Sequence, residues 1–505
     1  MWDRVDFKRR DNGCKTLLNM TCATQGAVVR RPGFQFIFDM DLRGIDTNGS
    51  IRMIPFIFNE NQAYTMIFFT HTNGSKRVIF GTGDGIVVSG AGNTPVTLVL
   101  PSTWDIDNFD YAQSADEMYF AQSGLKPHTI KRLSHTSWQV VSLTMANQPS
   151  DWSNANGWPE TVIFHQQRLV FGANKIRRQT VWMSKAGSFL DFGKSSPGVD
   201  SDAVTFTLDS GTQNKIVWMS STKSLHIGTI GNEWTVVGGN RRAITPTNVL
   251  AERQTNRGSH KIKPLVIGIT TMFIERQARR INEFVYDYTF DSYKTSDVSI
   301  LSPHITEQAY MLDWTYQQSP DSIIWAVMSD GTLAAVTYQR QHSVIGWHRH
   351  DTQGQFLAVT SIPNKYSRED EVWVLVKRKV NNVDKIYVEK LAESYKGETA
   401  QKEVSQRGYF LDSWLFQHND TPVSYIYAPH LKGRKVSVMV DNAVHPDKVI
   451  PTSGLDNGVV KLDYPGKDIL VGLQYESVVE PLLQDLQTSK DGTSLVLCCV
   501  FLHTL

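Results

Sequence analysis

The sequence predicts a mainly β protein: a β-propeller with additional small β domains and few helices. Three observations carry this. Short runs of valine, isoleucine, phenylalanine, tyrosine and tryptophan bounded by Gly, Asn, Asp or Ser recur throughout the chain, whereas helical periodicity is hard to find. The apolar runs "MIFFT", "MYFAQ", "LVFGA", "LHIGT", "MFIER", "IIWAV" and "VWVLV" begin at Met66, Met118, Leu169, Leu225, Met272, Ile323 and Val372, in steps of 52, 51, 56, 47, 51 and 49 residues. A period of about 50 residues built from short antiparallel strands is the signature of propeller blades, whereas sandwich strands recur every ~8 to 12 residues without a superperiod. Finally, the runs are apolar on consecutive positions, as in "IIWAV" and "VWVLV", so both faces are expected to be buried between neighbouring blades.

Each run is followed by a turn and a returning strand: "TNGSKRVIFG", "ANKIRRQTVWMS", "GNEWTVVGG", "SDGTLAAVTYQ" and "RKVNNVDKIYVEKL". At 505 residues the chain exceeds the size at which one core stops growing, so more than one domain is expected. The reading divides it into an N-terminal segment, 1–55; a propeller, 56–400; a small β module, 401–480; and a C-terminal tail, 481–505. The polar stretch "AESYKGETAQKEVSQRG" at 392–408 reads as a linker, and beyond it "VSVMVDNAVHPDKVI", "GVVKLDYPG" and "DILVGLQYES" alternate cleanly as half-exposed strands suited to docking.

Charge is balanced, 51 Lys and Arg against 50 Asp and Glu, which gives no whole-chain steering toward nucleic acid or an anionic membrane. The four cysteines, Cys14, Cys22, Cys498 and Cys499, form neither a disulfide framework nor a zinc spacing. The start has no apolar signal region, and "SLVLCCVFLHTL" is too short for a spanning helix, so cytoplasmic synthesis without membrane insertion is expected.

No motif assigns catalysis, a cofactor or a metal. The Gly-rich "FGTGDGIVVSGAG" at 80–92 lacks a GK[ST] ending and a following helix, and reads as a hairpin turn. His348 and His350 in "WHRHD" share one side of a strand, but a third ligand is missing, and surface histidines beside Arg349 explain the stretch as well. The sialidase-type Asp box has no clean copy, since "MSDGTLAAV" has the Asp-Gly turn without the tryptophan; nor is there a G-x-S-x-G elbow or an H-E-x-x-H. Arg168, ahead of a buried strand, is expected to pair with a carboxylate or with backbone carbonyls of the adjacent blade. Asn48-Gly-Ser and Asn73-Gly-Ser read as turns.

The stretch "GWPETVIFHQQRLVFGANKIRRQTVWMSKAGSFLDF" resembles the tail nozzle proteins of short-tailed bacteriophages, the tail tubular protein B family. The likeness rests on Pro159, on Gln167-Arg168-Leu169, on Trp182-Met183-Ser184 and on Phe189. The opening "RVDFKRRDNGCKTLLNMTCATQGAVVRRPGFQFI" is similar to the family's own, with Gly13-Cys14, Asn19 and Arg31-Pro32-Gly33 in order. "FLDSW" at 410–414, "LKGRKVSVMVDNAVHPDKVI" with Val444-His445, and "DILVGLQYES" with Tyr475 and Ser477 resemble its later module; residues 481–505 do not resemble its continuation.

The resemblance implies a structural subunit, not an enzyme. Copies, six in family members, would form a ring that extends the tail tube, retains the genome and conducts DNA into the host. The implied partners are other copies of the chain, a tail adaptor protein above, tail fibres or spikes, and transiently viral double-stranded DNA. The implied location is the virion tail, after assembly in the bacterial host cytoplasm. Interfaces are expected on the N-terminal segment and the 409–480 module, and no lysine or arginine belt dense enough to bind duplex tightly is expected in the lumen, since many phosphate contacts would stall transit. The alternative is a glycan-binding or glycan-cleaving propeller of a tail-associated depolymerase, which would need clustered carboxylates and aromatics at one end.

Overall fold

The fold of this computed structural model is described for residues 13–482 except 84, 91, 367–368 and 395–409, and for the strand positions 484–487, 494–497 and 501–502. It is a β-propeller with a small β module. Six antiparallel blades of four main strands each come from one continuous stretch: Ile51–Val99, whose third strand also pairs with the short Gly85–Ile86, Asp110–Ser142, Thr161–Thr207, Ile216–Thr255, Leu265–Asp297 and Met311–His350. A seventh is composite, for Gln355–Pro363, Asp370–Val380 and Val383–Leu391 are completed by the N-terminal strand Phe34–Asp39. Every one of the seven apolar runs begins in the second strand of its blade. The returning strands pair with them as antiparallel neighbours.

Consecutive apolar positions follow from this architecture, because a blade is covered on both faces. Ile323–Met328 is buried at every position, and so is Val372–Val376. The cores lie between blades and close a circle, the last joining the seventh blade to the first through Trp373, Leu375, Ile67 and Ile79. Each of these seven interfaces contains a tryptophan: Trp104, Trp182, Trp234, Trp218, Trp314, Trp325 and Trp373 in order around the ring. An indole is rigid and buries a large apolar area at low entropic cost, which suits a wedge between two twisted sheets.

The domain boundaries differ from the sequence reading. The propeller begins at Ile51, not 56, because Ile51–Asn59 is the innermost strand of the first blade. The N-terminal segment is not a separate unit. Cys14–Leu18 adds to the outer edge of the sixth blade by a parallel contact, Leu18 to Arg349, and pairs on its other side with Val478–Pro481. The module, Asp412–Leu473, packs Ile426, Leu431, Val438, Val460, Ile469 and Val471 into its own core. Its strand Asp412–Tyr427 touches Phe34–Asp39 at Trp414 and Gln35, so one sheet continues from the seventh blade into the module. Residues 395–408 of the 392–408 linker, Cys498, Cys499 and most of 481–505 lie outside the described residues. Helix is confined to Pro303–Thr306 and a few 3-10 turns among the described residues, and no helix there is long and apolar enough to cross a membrane.

Candidate functional site: a buried junction and a closed propeller axis

Arg31 is the centre of the junction between the chain's two ends and the propeller. Its side chain is wholly buried, and it donates from Nη1 and Nη2 to the two carboxylate oxygens of Asp412 at 2.8 Å each. The remaining donors go to Asn19 Oδ1 at 3.0 Å, Pro32 O at 2.9 Å and Asp351 O at 2.9 Å, so the guanidinium fork is satisfied. Burial opposes the charge, but the Asp412 carboxylate outweighs it and holds the guanidinium proton more tightly than usual.

The neighbours tie three regions together. Asn19 accepts from the Asp351 amide and donates to the Asp351 carboxylate and to Glu476 O, while Ser477 donates to Asn19 O. The Tyr475 hydroxyl donates to Arg31 O, and the Arg31 guanidinium lies 3.9 Å from the Tyr475 ring centre. Gly33 sits so close to the module that a Cβ there would come within 1.7 Å of Leu411 O. A second buried pair lies alongside, Arg378 donating to Glu389 at 2.8 and 2.7 Å and to Thr352 and Gln353 O between the sixth and seventh blades. His430 of the module stacks on Phe36 at 4.0 Å and accepts the Tyr387 hydroxyl at its carbonyl.

The residues that carry the resemblance fall into three groups. Arg31, Pro32, Gly33, Tyr475 and Ser477 converge here with Asn19 and Asp412; Gly13 and Cys14 lie nearby, Gly13 O accepting from Leu482 and Cys14 pairing with Pro481. Cys14 and Cys22 are free thiols. The second group fills the third blade. Leu169 and Trp182 face the second blade, Met183 faces the fourth, Pro159 is buried, and Phe189 packs edge-on against Phe164 at 4.9 Å. Arg168 donates to the carbonyls of Ser184, Asp200, Ser201 and Asp202, and Ser184 Oγ accepts from the Leu169 amide. These carbonyls belong to its own blade, not the adjacent one as expected from sequence. They lie on the long excursion between that blade's third and fourth strands, which the arginine fastens down. Gln167 lies exposed in the His165–Arg168 turn at φ 59°, and its carbonyl accepts from Gly187. In the third group, His445 is buried and accepts from the Asp463 amide, stitching two module strands together, while Val444 beside it is 87% exposed.

His348 and His350 do share one side of their strand, but they are not surface residues. Both are fully buried and hydrogen-bonded to each other at 2.7 Å. Burial lowers the His348 pKa to about 3 and that of His350 far below the usual range. Among the described residues no group of three or more metal-ligating side chains forms.

The propeller axis is bridged. Lys261 and Lys263, leading into the fifth blade, reach the second blade across the ring: Lys261 donates to Asn108 O at 2.9 Å, and Lys263 to Asp110 at 2.9 Å and Tyr111 O at 2.6 Å. Arg52 of the first blade donates to Phe109 O at 2.6 Å, and Asp313 of the sixth, withdrawn from solvent, has its carboxyl pushed up to about 6. A duplex, whose major groove alone is about 12 Å wide, has no passage through such contacts. A cavity of about 300 Å³ lies between the sixth and seventh blades, with Asp321, Glu369, Glu371 and Glu393 in its wall. Glu371 is engaged by Trp373 and Lys390, and Asp370 accepts from the amides of Gln318 and Ser319, so these acids are tied into the fold.

No protein-family model matches the chain, and no curated protein matches it. Solved propellers do resemble its fold. The C-terminal WD40 domain of Sif2 is 8% identical at a TM-score of 0.39, over 72% of this chain and 99% of that one. The RRP9 WD40 repeats are 7% identical at 0.39 over the same shares, and the Myceliophteria thermophila Cps50 (Swd1) β-propeller domain is 8% identical at 0.36, over 64% and 92%.

Proposed function

We propose that the chain is a structural subunit of a bacteriophage tail nozzle, a ring that retains the genome and conducts DNA at ejection. One observation carries the reading: motif stretches from the two ends of the sequence, Arg31-Pro32-Gly33 and Tyr475 to Ser477, meet at one buried junction with Asp412. Residues that share a family's wording and also share a contact point, though more than 400 positions apart, support a common architecture and not a chance run of letters. The junction makes the propeller, N-terminal segment and module one stiff body, as a conduit wall requires.

Because the axis of each propeller is bridged, the lumen in this reading lies between subunits. The module supplies surface for such contacts: Val444, Val449 and Leu455 are exposed by 87%, 67% and 105%, and a closed ring needs heterologous contacts between different patches of the same chain. The tail adaptor, and fibres or spikes, are the expected neighbours above and beside the ring. Co-sedimentation with virions and a ring in negative stain test the reading. Release of reducing ends from host polysaccharide, abolished by Glu371→Gln, would instead favour the depolymerase alternative at the acid-lined cavity.

A further inference from the structure

The chain is nearly neutral as a whole, yet one arc of loops on one face of the propeller carries an excess of cations. On that face lie the turns between second and third strands of each blade and the connections from one blade to the next. In the third, fourth and fifth blades these loops are stitched into a continuous arc by backbone hydrogen bonds. Arg178 O accepts from Ile216, Lys215 O from Ile230, Thr229 O from Ser259, and Gly258 O from Arg276.

Along this arc Lys175, Arg178, Arg257, Arg276 and Arg279 are exposed and form no ion pair among the described residues. Three further cations stand among them with partners: Arg177 with Asp151, Lys215 with Glu160, and Arg280 with Glu275 and Asp297. One exposed acid, Asp209, stands on the connection between the third and fourth blades, so five unpaired cations face one unpaired carboxylate there, a local excess in a chain with 51 basic and 50 acidic residues.

We propose that this arc is a docking surface for the phosphate backbone of duplex DNA, bound without regard to sequence. Four of the five unpaired cations are arginines, whose planar forks match phosphate oxygens two at a time. The charges are strung along loops and not gathered in a pocket, which suits a repeating polyanion. The exposed apolar side chains beside them are Ile176 and Ile230, not aromatic rings, so the arc has no platform on which bases could stack. The choice of DNA over an acidic protein surface rests on the conduit reading, which brings DNA to the molecule; the charge itself does not.

Five phosphate contacts give a salt slope of about −4.5, so affinity falls roughly 500-fold between about 50 and 200 mM salt. Such a surface guides DNA without holding it. The expected dissociation constant is micromolar, not nanomolar.

The test is fluorescence anisotropy of the purified full chain with a labelled random-sequence duplex across a salt series. It compares the wild type, the quadruple variant Arg178→Ala, Arg257→Ala, Arg276→Ala and Arg279→Ala, and the control Lys435→Ala with Lys461→Ala on the module. The expected result is at least a tenfold loss for the quadruple variant, its salt slope falling to about −1, with the control unchanged. Unchanged binding in the quadruple variant, or no binding by the wild type at low salt, overturns the proposal. So does binding of poly-L-glutamate ahead of duplex, which would make the partner an acidic protein. Circular dichroism of the quadruple variant separates lost contacts from lost folding. A chain that forms rings but binds no duplex refutes only this inference; one that binds duplex but never assembles refutes only the nozzle reading.

Discussion

Arg31 and Asp412, 381 positions apart in the sequence, face each other through two parallel hydrogen bonds of 2.8 Å with neither side chain exposed by more than 1%. One lies beside the strand that closes the seventh blade, the other opens the module. Their pairing therefore reports whether the chain's ends and its propeller are one body.

Removing one member of this pair leaves the other charged, buried and unpaired. Asp412→Ala is expected to destabilise the protein by about 3–5 kcal/mol. In Arg31→Met with Asp412→Leu, which removes both charges at similar volume, the loss is expected to be well below the sum of the single variants. Urea unfolding of the four proteins checks this, and additive losses would remove the pair from the account.

Gly33→Ala tests the same junction by shape. A Cβ 1.7 Å from Leu411 O cannot be accommodated without separating the strand from the module. Its expected cost exceeds the ~1–3 kcal/mol of ordinary overpacking, read as a lower urea midpoint than the wild type. Gly74→Ala, at a turn with φ 81° and open space around it, is expected to cost only about 1 kcal/mol.

Arg168→Met is expected to loosen the excursion 184–203 by leaving the carbonyls of Ser184, Asp200 and Asp202 without their donor, a loss of about 2–4 kcal/mol. Hydrogen exchange should rise in that loop and little elsewhere. A global rise would mean that the arginine supports the inter-blade core instead.

Acid should weaken the fold through its buried histidines. Burial lowers His348 and His226 to about 3, and His165 and His430 to about 4, below the ordinary value near 6.5. A depressed histidine pKa means that the unfolded chain binds more protons. Their contribution is therefore complete above the unfolded value and is lost as pH falls below about 6.5, by about 1.4 kcal/mol per pH unit for each group. Asp313, raised to about 6, acts oppositely between pH 6 and 4, so the net fall is less than the histidine sum. Urea midpoints at pH 7.5 and 5.0 check the direction, and His348→Phe should flatten the dependence.

The blades were legible in the sequence because every apolar run begins in a second strand covered on both faces, and burial on both faces writes unbroken apolar positions. Ile323–Met328 shows this directly. Strand Phe34–Asp39 was not legible as the closing strand of the seventh blade, since its pairing with Val383–Leu391 spans most of the chain and leaves no local signal. The burial of His348 and His350 was hidden for a related reason: the outer edge of their strand is paired with Cys14–Leu18, more than 300 positions away in sequence. Arg168 kept its structural role but found its acceptors in its own blade, where a long excursion supplies four carbonyls that no periodicity announces. Asp412, the partner of Arg31, lay within a quoted motif stretch, yet spacing alone could not join the two.

The central claim is that this chain is a wall element whose opening lies between copies, not through its own bridged axis. Negative-stain imaging of the purified full-length protein over a range of concentrations tests it most directly. The account predicts closed rings with a central hole and propeller discs set around it; single particles without rings at every concentration would contradict it.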